Sequence, residues 1–314
     1  MPIDQRLDRH AGCLLGLAAG DALGTAVEFR PRGTFEPVVD ITGGGPFKLQ
    51  PGQWTDDTSM ALCLAESLIE RQAFDAADLM QRFVRWWRNG HRSSTGACFD
   101  IGTTTVRALR HFERTGEPNA GASDPDTAGN GSLMRLAPIA MFYSNDPVQA
   151  VLRAGDSSRT THGAREAVDA CRYFAGLLTG ALNGEAKGPL VADLYAPAGV
   201  DWAATPLAPG VHAVAAGSFR QQGASRIRAS GYVVHTLEAA LWAFHHSSSF
   251  EEGALLAVNL GEDADTTGAV YGQLAGAYYG RRGIPQRWLA TVHGALEIEQ
   301  LAARLAMGTT ERSN

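Results

Sequence analysis

The chain has 314 residues and a formal net charge of −6; 45% of its residues are hydrophobic and 19% are charged. This composition is typical of a soluble globular protein and excludes a disordered chain, and the length allows one large or two ordinary domains. The basic residues form no Lys/Arg block, so general nucleic-acid binding is not expected. The N-terminus lacks a signal-peptide layout, no early apolar run is long enough to span a bilayer, and the four cysteines have no paired spacing. We therefore expect a cytoplasmic protein with no membrane partner.

Glycine recurs with a four-residue period in two predicted helices at opposite ends of the chain. The first helix covers residues 6–29 and the second covers residues 266–279. Glycine inside a helix costs about 1 kcal/mol relative to alanine, and only very close packing of another backbone offsets that cost. We therefore expect these two helices to meet at the centre of the fold. The glycines concerned are Gly12, Gly16, Gly20, Gly24, Gly268, Gly272, Gly276 and Gly280.

The rest of the chain also shows mainly helical periodicity, with few alternating β-branched runs. Asp75 is predicted to cap one helix, and Pro138 is predicted to bend or break another. Residues 186–231 are rich in breakers and are predicted to form an irregular, loop-rich insertion with no more than one helix. The predicted fold is one compact all-α domain over residues 1–314, with ten to thirteen helices. The remaining predicted helices cover residues 55–71, 75–89, 102–113, 132–142, 146–156, 163–182, 232–246, 250–260 and 286–307.

Two clusters of carboxylates and hydroxyls each stand directly before an apolar helical run. One is Thr55-Asp56-Asp57-Thr58, and the other is Glu262-Asp263-Ala264-Asp265-Thr266-Thr267. Side chains of this kind at two helix starts are able to enclose a hard divalent cation, or a pair of cations, through oxygen ligands. The alternative is helix capping, because Asp and Thr are favoured in first turns, where they interact with the helix dipole.

Five motifs follow one another along the chain: Gly20-Asp21-Ala22-Leu23-Gly24 with Glu28, Thr55-Asp56-Asp57-Thr58, Gly129-Asn130-Gly131-Ser132-Leu133-Met134-Arg135, Thr161-His162, and Gly261-Glu262-Asp263-Ala264-Asp265-Thr266-Thr267-Gly268. In this order they resemble the ADP-ribosylglycohydrolase family, and the resemblance extends over residues 12–280. Each motif alone is weakly specific, whereas five in order are a strong signal. The resemblance implies an all-α fold with a binuclear Mg²⁺ or Mn²⁺ centre in a cleft.

The resemblance also implies that the metal ligands come from the two carboxylate–hydroxyl clusters. An all-oxygen ligand set suits Mg²⁺ or Mn²⁺ rather than zinc, which agrees with the chemistry of the clusters alone. Asp21 lies inside a glycine-flanked apolar helix, where a carboxylate is costly to bury without a partner. We expect it to support the site through hydrogen bonds rather than to contact substrate. The implied ligands are Thr55, Asp56, Asp57, Asp263, Asp265 and Thr266.

Two further carboxylates are candidate catalytic residues. Glu28 matches the family's acidic residue near the metals, where it would orient a water molecule or accept its proton. The alternative is a helix-end carboxylate that faces solvent. Asp100 resembles an acidic residue of the dinitrogenase-reductase branch that acts in catalysis or grips the arginine end of the substrate, since a carboxylate pairs with guanidinium through two hydrogen bonds. Its alternative role is to cap the helix that starts near Gly102.

The loop Gly129-Asn130-Gly131-Ser132 precedes a predicted helix and offers backbone N–H groups of the kind that hold phosphate. Asn130, Gly131 and Ser132 are therefore candidate substrate-binding residues. Arg135 would either add positive charge there or tie the loop to one of the aspartates at positions 124 and 126.

Two ring side chains complete the expected substrate site. By resemblance, His162 lines the ADP-ribose cleft, and Tyr232 stacks on the adenine. The alternative for His162 is a capping or core histidine, and the alternative for Tyr232 is core packing.

The resemblance implies a hydrolase that uses two Mg²⁺ or Mn²⁺ ions and cuts ADP-ribose from an acceptor, with arginine side chains of proteins as the favoured acceptor. ADP-ribose would be the product. Serine, a nucleobase or a small metabolite are alternative acceptors. A non-catalytic ADP-ribose-binding protein is the alternative from another functional class, although the full set of candidate ligands with Glu28 and Asp100 argues against it.

Overall fold

Helices account for nearly all of the regular structure in the computed structural model, which describes residues 1–307. Within those residues there are fourteen α-helices, four short 3₁₀ turns and only isolated β bridges, so the predicted all-α fold is confirmed. Residues 308–314 of the predicted domain lie outside the described part. In chain order the α-helices are Ile3–Gly24 (α1), Asp56–Arg71 (α2), Ala76–Asn89 (α3), Thr103–Thr115 (α4), Ala137–Phe142 (α5), Pro147–Arg159 (α6), Arg165–Leu182 (α7), Lys187–Leu190 (α8), Pro209–Ala215 (α9), Val233–His246 (α10), Phe250–Val258 (α11), Ala264–Tyr279 (α12), Gln286–Thr291 (α13) and Ala295–Met307 (α14).

The two glycine-rich helices, α1 and α12, form the centre of the fold, as predicted. They run antiparallel, because Gly16 faces Gly272 and the facing pairs on either side run in opposite chain order. A Cβ atom added to Gly16 would overlap the carbonyl oxygen of Gly272, and one added to Gly272 would overlap that of Gly16. The missing side chains therefore permit direct backbone contact, which explains why glycine is retained inside both helices.

The other helices pack around this central pair. Helix α14 lies against α1, whereas α10 and α11 lie against α12. Helices α6 and α7 form an adjoining layer, and α3 links α2 to α4. Because α1 and α12 are antiparallel, the last turn of α1 meets the first turn of α12, and this junction positions the site described below.

The helix count exceeds the predicted range because two short elements were not foreseen. The segment predicted as residues 286–307 is divided into α13 and α14, and residues 186–231 contain both α8 and α9. Pro138 does not break a helix, since it stands in the first turn of α5, where its missing N–H costs no hydrogen bond. The predicted start at residue 132 was therefore too early. Asp75 caps α3 as predicted, accepting a hydrogen bond from the backbone N–H of Asp78.

One segment of the described chain, Ile3–Val27, is long and apolar enough to cross a membrane by length and composition. However, 94% of its most apolar window is buried inside the fold. Its apolar character is accounted for by its place at the centre of the helical core.

Candidate active site

Several helix ends converge at one side of the α1–α12 pair and enclose an open cleft of about 640 Å³. The last turn of α1 leads to Glu28, while α2, α4 and α12 each begin at the cleft. A helix N-terminus carries a partial positive charge, so three of these ends favour the carboxylates that line the cleft. Glu28, Asp56, Asp100, Asp263 and Thr266 line the bottom of the cleft. Thr55, Asp57 and Asp265 do not line it but lie beside these residues, and the eight together are called the floor.

The two carboxylate–hydroxyl clusters meet at this floor, although about two hundred residues separate them in the chain. The Thr55 hydroxyl lies 3.3 Å from Asp265 Oδ2 and 3.2 Å from Asp57 Oδ2. The Thr266 hydroxyl in turn lies 3.3 Å from Asp57 Oδ2. These three contacts link four of the six predicted metal ligands, and all four are buried.

Helix capping does not explain either cluster. Thr55 stands at the N-cap of α2 and Asp263 at the N-cap of α12, yet neither side chain accepts a capping hydrogen bond. By contrast, the side chains of Asp146 and Ser249 do cap their helices. Because the Thr55 hydroxyl faces carboxylates instead of the helix backbone, the arrangement favours a ligand role over a capping role.

Asp21 supports the first cluster from inside helix α1. Its Oδ1 accepts hydrogen bonds from the backbone N–H and the hydroxyl of Thr55, at 2.9 and 3.1 Å. Its Oδ2 accepts from the backbone N–H and the hydroxyl of Thr58, at 3.1 and 2.6 Å. Asp21 is fully buried and does not line the cleft, in agreement with the supporting role predicted for it.

The chemistry of the floor fits hard divalent cations. Three of its buried carboxylate oxygens, Glu28 Oε2, Asp57 Oδ1 and Asp265 Oδ1, have no hydrogen-bond partner among residues 1–307. Burial raises the pKa of Asp57 and Asp265 well above the usual range, and the neighbouring carboxylates add to the effect. Negative groups packed together in this way need positive charge to stay ionised. Thr55, Asp56, Asp57, Asp263, Asp265 and Thr266 would supply oxygen ligands to such ions.

Glu28 and Asp100 face each other across the same floor. One oxygen each from Glu28, Asp100 and Asp265 lies within 4.8 Å of the other two, a separation that would allow all three to bind one metal ion. Burial, followed by the charges of Asp100 and Asp263, raises the pKa of Glu28 to about 9. Burial and the charge of Asp263 raise the pKa of Asp100 to about 7. Glu28 is 3% exposed and so is not a solvent-facing helix end.

Asp100 also does not act as a helix cap. The N-cap of α4 is Gly102, and no side chain caps this helix. Asp100 has a φ of 57°, in the left-handed region that is unfavourable for most residues. Such strain is maintained only where the surrounding structure compensates for it, and here it aims the carboxylate at Glu28 and Asp265.

The loop of residues 129–132 lines one wall of the cleft, but its side chains divide between the cleft and the core. The Asn130 amide donates to Asp263 Oδ2 at 2.7 Å and to the Thr236 hydroxyl at 2.9 Å, so it orients a predicted metal ligand. Gly131 lines the cleft with its backbone. Ser132 does not, because its hydroxyl is buried 2.9 Å from that of Ser158.

Arg135 contacts neither of the aspartates proposed for it from sequence, since it is fully buried whereas Asp124 and Asp126 are exposed. Its guanidinium donates instead to the carbonyl oxygen of Gly131 and to the hydroxyl of Thr161, both at 2.8 Å. It therefore holds the wall of the cleft from behind rather than contributing charge to its surface.

Of the two predicted ring contacts, the structure brings one to the cleft. His162 lines the wall beside Gly129 and Gly131, and an isolated β bridge between Ala122 and His162 fixes its backbone. Tyr232 does not line the cleft, because its hydroxyl donates to Glu166 Oε2 at 2.5 Å. The sequence showed an aromatic residue at a helix start but not the acidic partner that directs its ring elsewhere.

Sequence reasoning missed several residues of the cleft. Phe29 and Glu262 line its mouth, and both have φ values in the left-handed region, at 60° and 56°. The Phe29 N–H donates to the Glu262 carbonyl oxygen at 2.6 Å, which joins the end of α1 to the loop before α12. Residues 103–105, in the first turn of α4, form another part of the wall. Their three consecutive threonines after Gly102 were the available signal.

The arrangement combines an acidic floor with walls of glycine, threonine and one histidine. The N–H groups of Gly129 and Asn130, predicted to hold phosphate, donate instead to the carbonyl oxygens of Thr127 and Gly231. Such a cleft is able to hold divalent cations at the floor and a polar ligand rich in oxygen atoms against the walls. The carboxylates at the floor also supply groups that accept or donate protons.

Comparisons with known proteins agree with this chemistry. The family model described as ADP-ribosylglycohydrolase matches residues 2–314. The chain is 46% identical to the ADP-ribosylarginine hydrolase Tri1 of Pseudomonas putida, over 96% of this chain and 79% of that protein. It is 33% identical to the ADP-ribosyl-[dinitrogen reductase] glycohydrolase of Rhodospirillum rubrum, over 96% of both chains.

A solved structure described as an ADP-ribosylglycohydrolase-related protein complex is 48% identical in sequence. It superimposes with a TM-score of 0.86 and covers 98% of this chain and 100% of its own. Sequence similarity and fold are therefore shared over nearly the whole length. The chain belongs to the ADP-ribosylglycohydrolase family.

Proposed function

We propose that this protein is a metal-dependent hydrolase that removes ADP-ribose from modified arginine side chains of proteins. The observation that carries the proposal is the acidic floor of the cleft, where two carboxylate–hydroxyl clusters meet beside Glu28 and Asp100. ADP-ribose and unmodified arginine would be the products. The cleft volume of about 640 Å³ is in the range expected for a small-molecule site.

The proposal includes two Mg²⁺ or Mn²⁺ ions held by the six oxygen ligands named above. When bound, such ions would supply positive charge that stabilises the charge developing as the glycosidic bond breaks. Three partnerless buried carboxylate oxygens support this part of the proposal. In the presence of positive charge, the pKa values of Glu28 and Asp100 fall, and both groups become available as carboxylates.

In the reaction, a water oxygen forms a bond to the anomeric carbon while the bond from that carbon to the guanidino nitrogen breaks. We assign acceptance of the water proton to Glu28, because its Oε2 is partnerless and the residue lines the cleft. The released guanidino nitrogen takes up the proton that Glu28 accepted, which regenerates the carboxylate. Asp100 holds the opposite side of the floor and orients the reacting groups through its position beside Glu28 and Asp265.

Arginine is the proposed acceptor because two relatives more than 40% identical over most of this chain are named ADP-ribosylarginine hydrolases, from Pseudomonas putida and Serratia proteamaculans. The exposed carboxylate of Glu262 at the cleft mouth supports the same choice, since a negative mouth favours a cationic guanidinium. The cytoplasm is the proposed compartment, because all four cysteines are free and three are buried.

The experiment measures release of ADP-ribose from three substrates: a protein modified on arginine, a protein modified on serine, and a modified nucleic acid. Each is tested with Mg²⁺, with Mn²⁺ and with a chelator. We expect release of ADP-ribose from arginine with either ion and none with the chelator. Asp56→Ala and Asp263→Ala should abolish release while circular dichroism still shows a folded helical protein. Binding of ADP-ribose without release from any substrate would replace the hydrolase with a non-catalytic binding protein.

A further inference from the structure

A buried cation lies directly behind the cleft wall. Arg135 is fully buried, its guanidinium stands 4.7 Å from the ring centroid of Phe83, and no carboxylate among residues 1–307 forms an ion pair with it. Its hydrogen bonds go to neutral acceptors: to the Gly131 carbonyl oxygen and the Thr161 hydroxyl at 2.8 Å, and more weakly to Ser157 and Thr160 at 3.3 Å. A buried charge is stabilised only by well-placed partners of this kind, so these acceptors are firmly held.

The direction of the hydrogen bonds around Thr161 follows from the chemistry of arginine. A guanidinium only donates, so the Thr161 oxygen must accept from Arg135 Nη2. The same hydroxyl lies 2.8 Å from His162 Nδ1, its second side-chain contact among residues 1–307. Because Thr161 is fully buried, its hydrogen would be left without an acceptor unless it is donated to Nδ1. Nδ1 therefore acts as the acceptor and carries no hydrogen.

A neutral imidazole whose Nδ1 is bare carries its hydrogen on Nε2. Burial, with a smaller effect of the nearby Arg135 charge, lowers the pKa of His162 to about 3, which keeps the ring neutral. The Nε2 edge faces the glycine loop of the cleft wall. A Cβ atom at Gly131 would stand 3.1 Å from Nε2 and 2.8 Å from Cε1, and one at Gly129 would stand 3.4 Å from Nε2. The absence of side chains at these two positions thus lets the imidazole edge lie against the loop, where His162 lines the cleft.

We propose that Arg135 and Thr161 are positioning residues that fix His162 as its Nε2–H tautomer, so that the cleft presents one hydrogen-bond donor of defined direction to an oxygen atom of ADP-ribose. The ligand named here rests on the proposed function, whereas the tautomer does not. A donor suits a phosphate or ribose oxygen, which accepts hydrogen bonds, and the other tautomer would turn a bare nitrogen toward it. The same guanidinium holds the Gly131 carbonyl oxygen, so the loop and the ring are fixed together.

The test is a measurement of the His162 tautomer by ¹⁵N-histidine NMR on the full chain with Mg²⁺, where the two ring nitrogens give distinct signals for each tautomer. The signal absent from His162→Asn identifies the residue. Thr161→Val keeps the shape of the side chain and removes the hydroxyl. Thr160→Val is the matched control, because its hydroxyl is equally buried and contacts the same Arg135 nitrogen but not His162. Thr161→Ser restores the hydroxyl.

We expect the Nε2–H tautomer in the wild-type protein, in Thr160→Val and in Thr161→Ser, and a mixture of tautomers in Thr161→Val. By calorimetry, Thr161→Val should bind ADP-ribose roughly two- to tenfold more weakly, the effect of one misplaced hydrogen bond. An Nδ1–H tautomer in the wild-type protein overturns the proposal even if Thr161→Val does not fold. So does an unchanged tautomer in Thr161→Val, or an equal change in Thr160→Val. The expected tautomers in a protein that neither binds nor cleaves ADP-ribose would reject the proposed function alone.

Discussion

Individual carboxylates of the cleft floor are in an unusual electrostatic environment for a protein interior. Asp57 and Asp265 are almost completely buried, both lie beside the Thr55 hydroxyl, and each retains an oxygen without a hydrogen-bond partner among the described residues. Burying several negative groups together destabilises their ionised forms. These carboxylates therefore serve the function of the cleft at a cost in stability. The predictions for single residues follow from this opposition between function and stability.

The first residue-scale prediction concerns Asp100, whose sequence context suggested either catalysis or a grip on guanidinium. Because its carboxylate lies within 4.8 Å of Glu28 and Asp265, we expect Asp100→Asn to weaken the floor itself. The kcat/KM value should fall roughly 10- to 100-fold, as for other groups that orient metal ligands. Arginine-linked and serine-linked substrates, where both are cleaved, should lose activity equally. A loss confined to the arginine-linked substrate would instead assign Asp100 to guanidinium recognition.

The second residue-scale prediction is a pH dependence of stability in the presence of a chelator. The pKa of Glu28 rises from an ordinary value of 4.5 to about 9 in the folded protein. The folded state therefore binds more protons than the unfolded state between these values, so its stability falls as pH rises through this window. Glu28→Gln cannot ionise, and its melting temperature should match that of the wild type near pH 5 and exceed it near pH 9.

An exposed carboxylate provides the control for this measurement. The melting temperature of Glu36→Gln should differ from that of the wild type by the same amount at pH 5 and at pH 9, because Glu36 is on the surface. If the melting temperature of Glu28→Gln also differed from that of the wild type by the same amount at both pH values, the burial of Glu28 would not govern the pH dependence of stability.

At the scale of elements, the site depends on how closely α1 and α12 approach. Their glycine ridges set the distance between the end of α1, which carries Asp21 and leads to Glu28, and the start of α12, which carries Asp265. Asp21 then fixes the first turn of α2 through Thr55 and Thr58. A small separation of the two central helices would therefore separate the two halves of the floor.

The element-scale prediction is that one methyl group at this interface is destabilising. Gly16→Ala and Gly272→Ala each place a Cβ against a facing carbonyl oxygen, and overpacking of this kind costs about 1–3 kcal/mol in the free energy of unfolding. Alanine is the better helix former, so propensity alone predicts the opposite sign. Chemical denaturation measures the change.

Gly188→Ala is the matched control, because Gly188 lies in helix α8 and an added Cβ would meet no atom within 4 Å. We expect that variant to be as stable as the wild type or slightly more stable. Equal stability of all three variants would show that the central helices have room for side chains.

For the whole molecule, the floor joins parts of the chain that are far apart in sequence. Thr55, at the N-cap of α2, lies beside Asp265 of α12, and Asn130, in the loop before α5, donates to Asp263 at the N-cap of α12. Cations bound here would cross-link helices α2 and α12 in the folded state only, and a ligand specific for the folded state stabilises it. Metal binding and global stability should consequently be coupled.

The whole-molecule prediction is a rise in melting temperature on addition of Mg²⁺ or Mn²⁺. At a hundredfold excess over the dissociation constant, binding to one site contributes about 2.7 kcal/mol. Asp57→Asn should lose most of this rise, since the substitution removes negative charge from the floor. In a chelator the same variant should be at least as stable as the wild type. Asp126→Ala, at an exposed position, should keep the full rise. A similar rise in both variants would indicate nonspecific ion effects.

Much of this architecture follows from the sequence alone, because the relevant signals are local or periodic. Glycines at every fourth position in α1 and α12 require a close backbone partner, and the matching period in the two helices indicated that they meet. Carboxylates and threonines before two apolar runs indicated an oxygen-ligand site, and the order of motifs indicated the family. These inferences depend on residue type and spacing, which the sequence contains in full.

Only the tertiary structure decided which way individual side chains point. Thr55 faces carboxylates instead of capping α2, and Ser132 and Tyr232 turn from the cleft toward Ser158 and Glu166. The direction of a side chain at a helix start or in a loop depends on partners from other elements, which here lie 26, 66 and 210 residues away. Local propensity is the same for each alternative, so the long-range contacts decide between them.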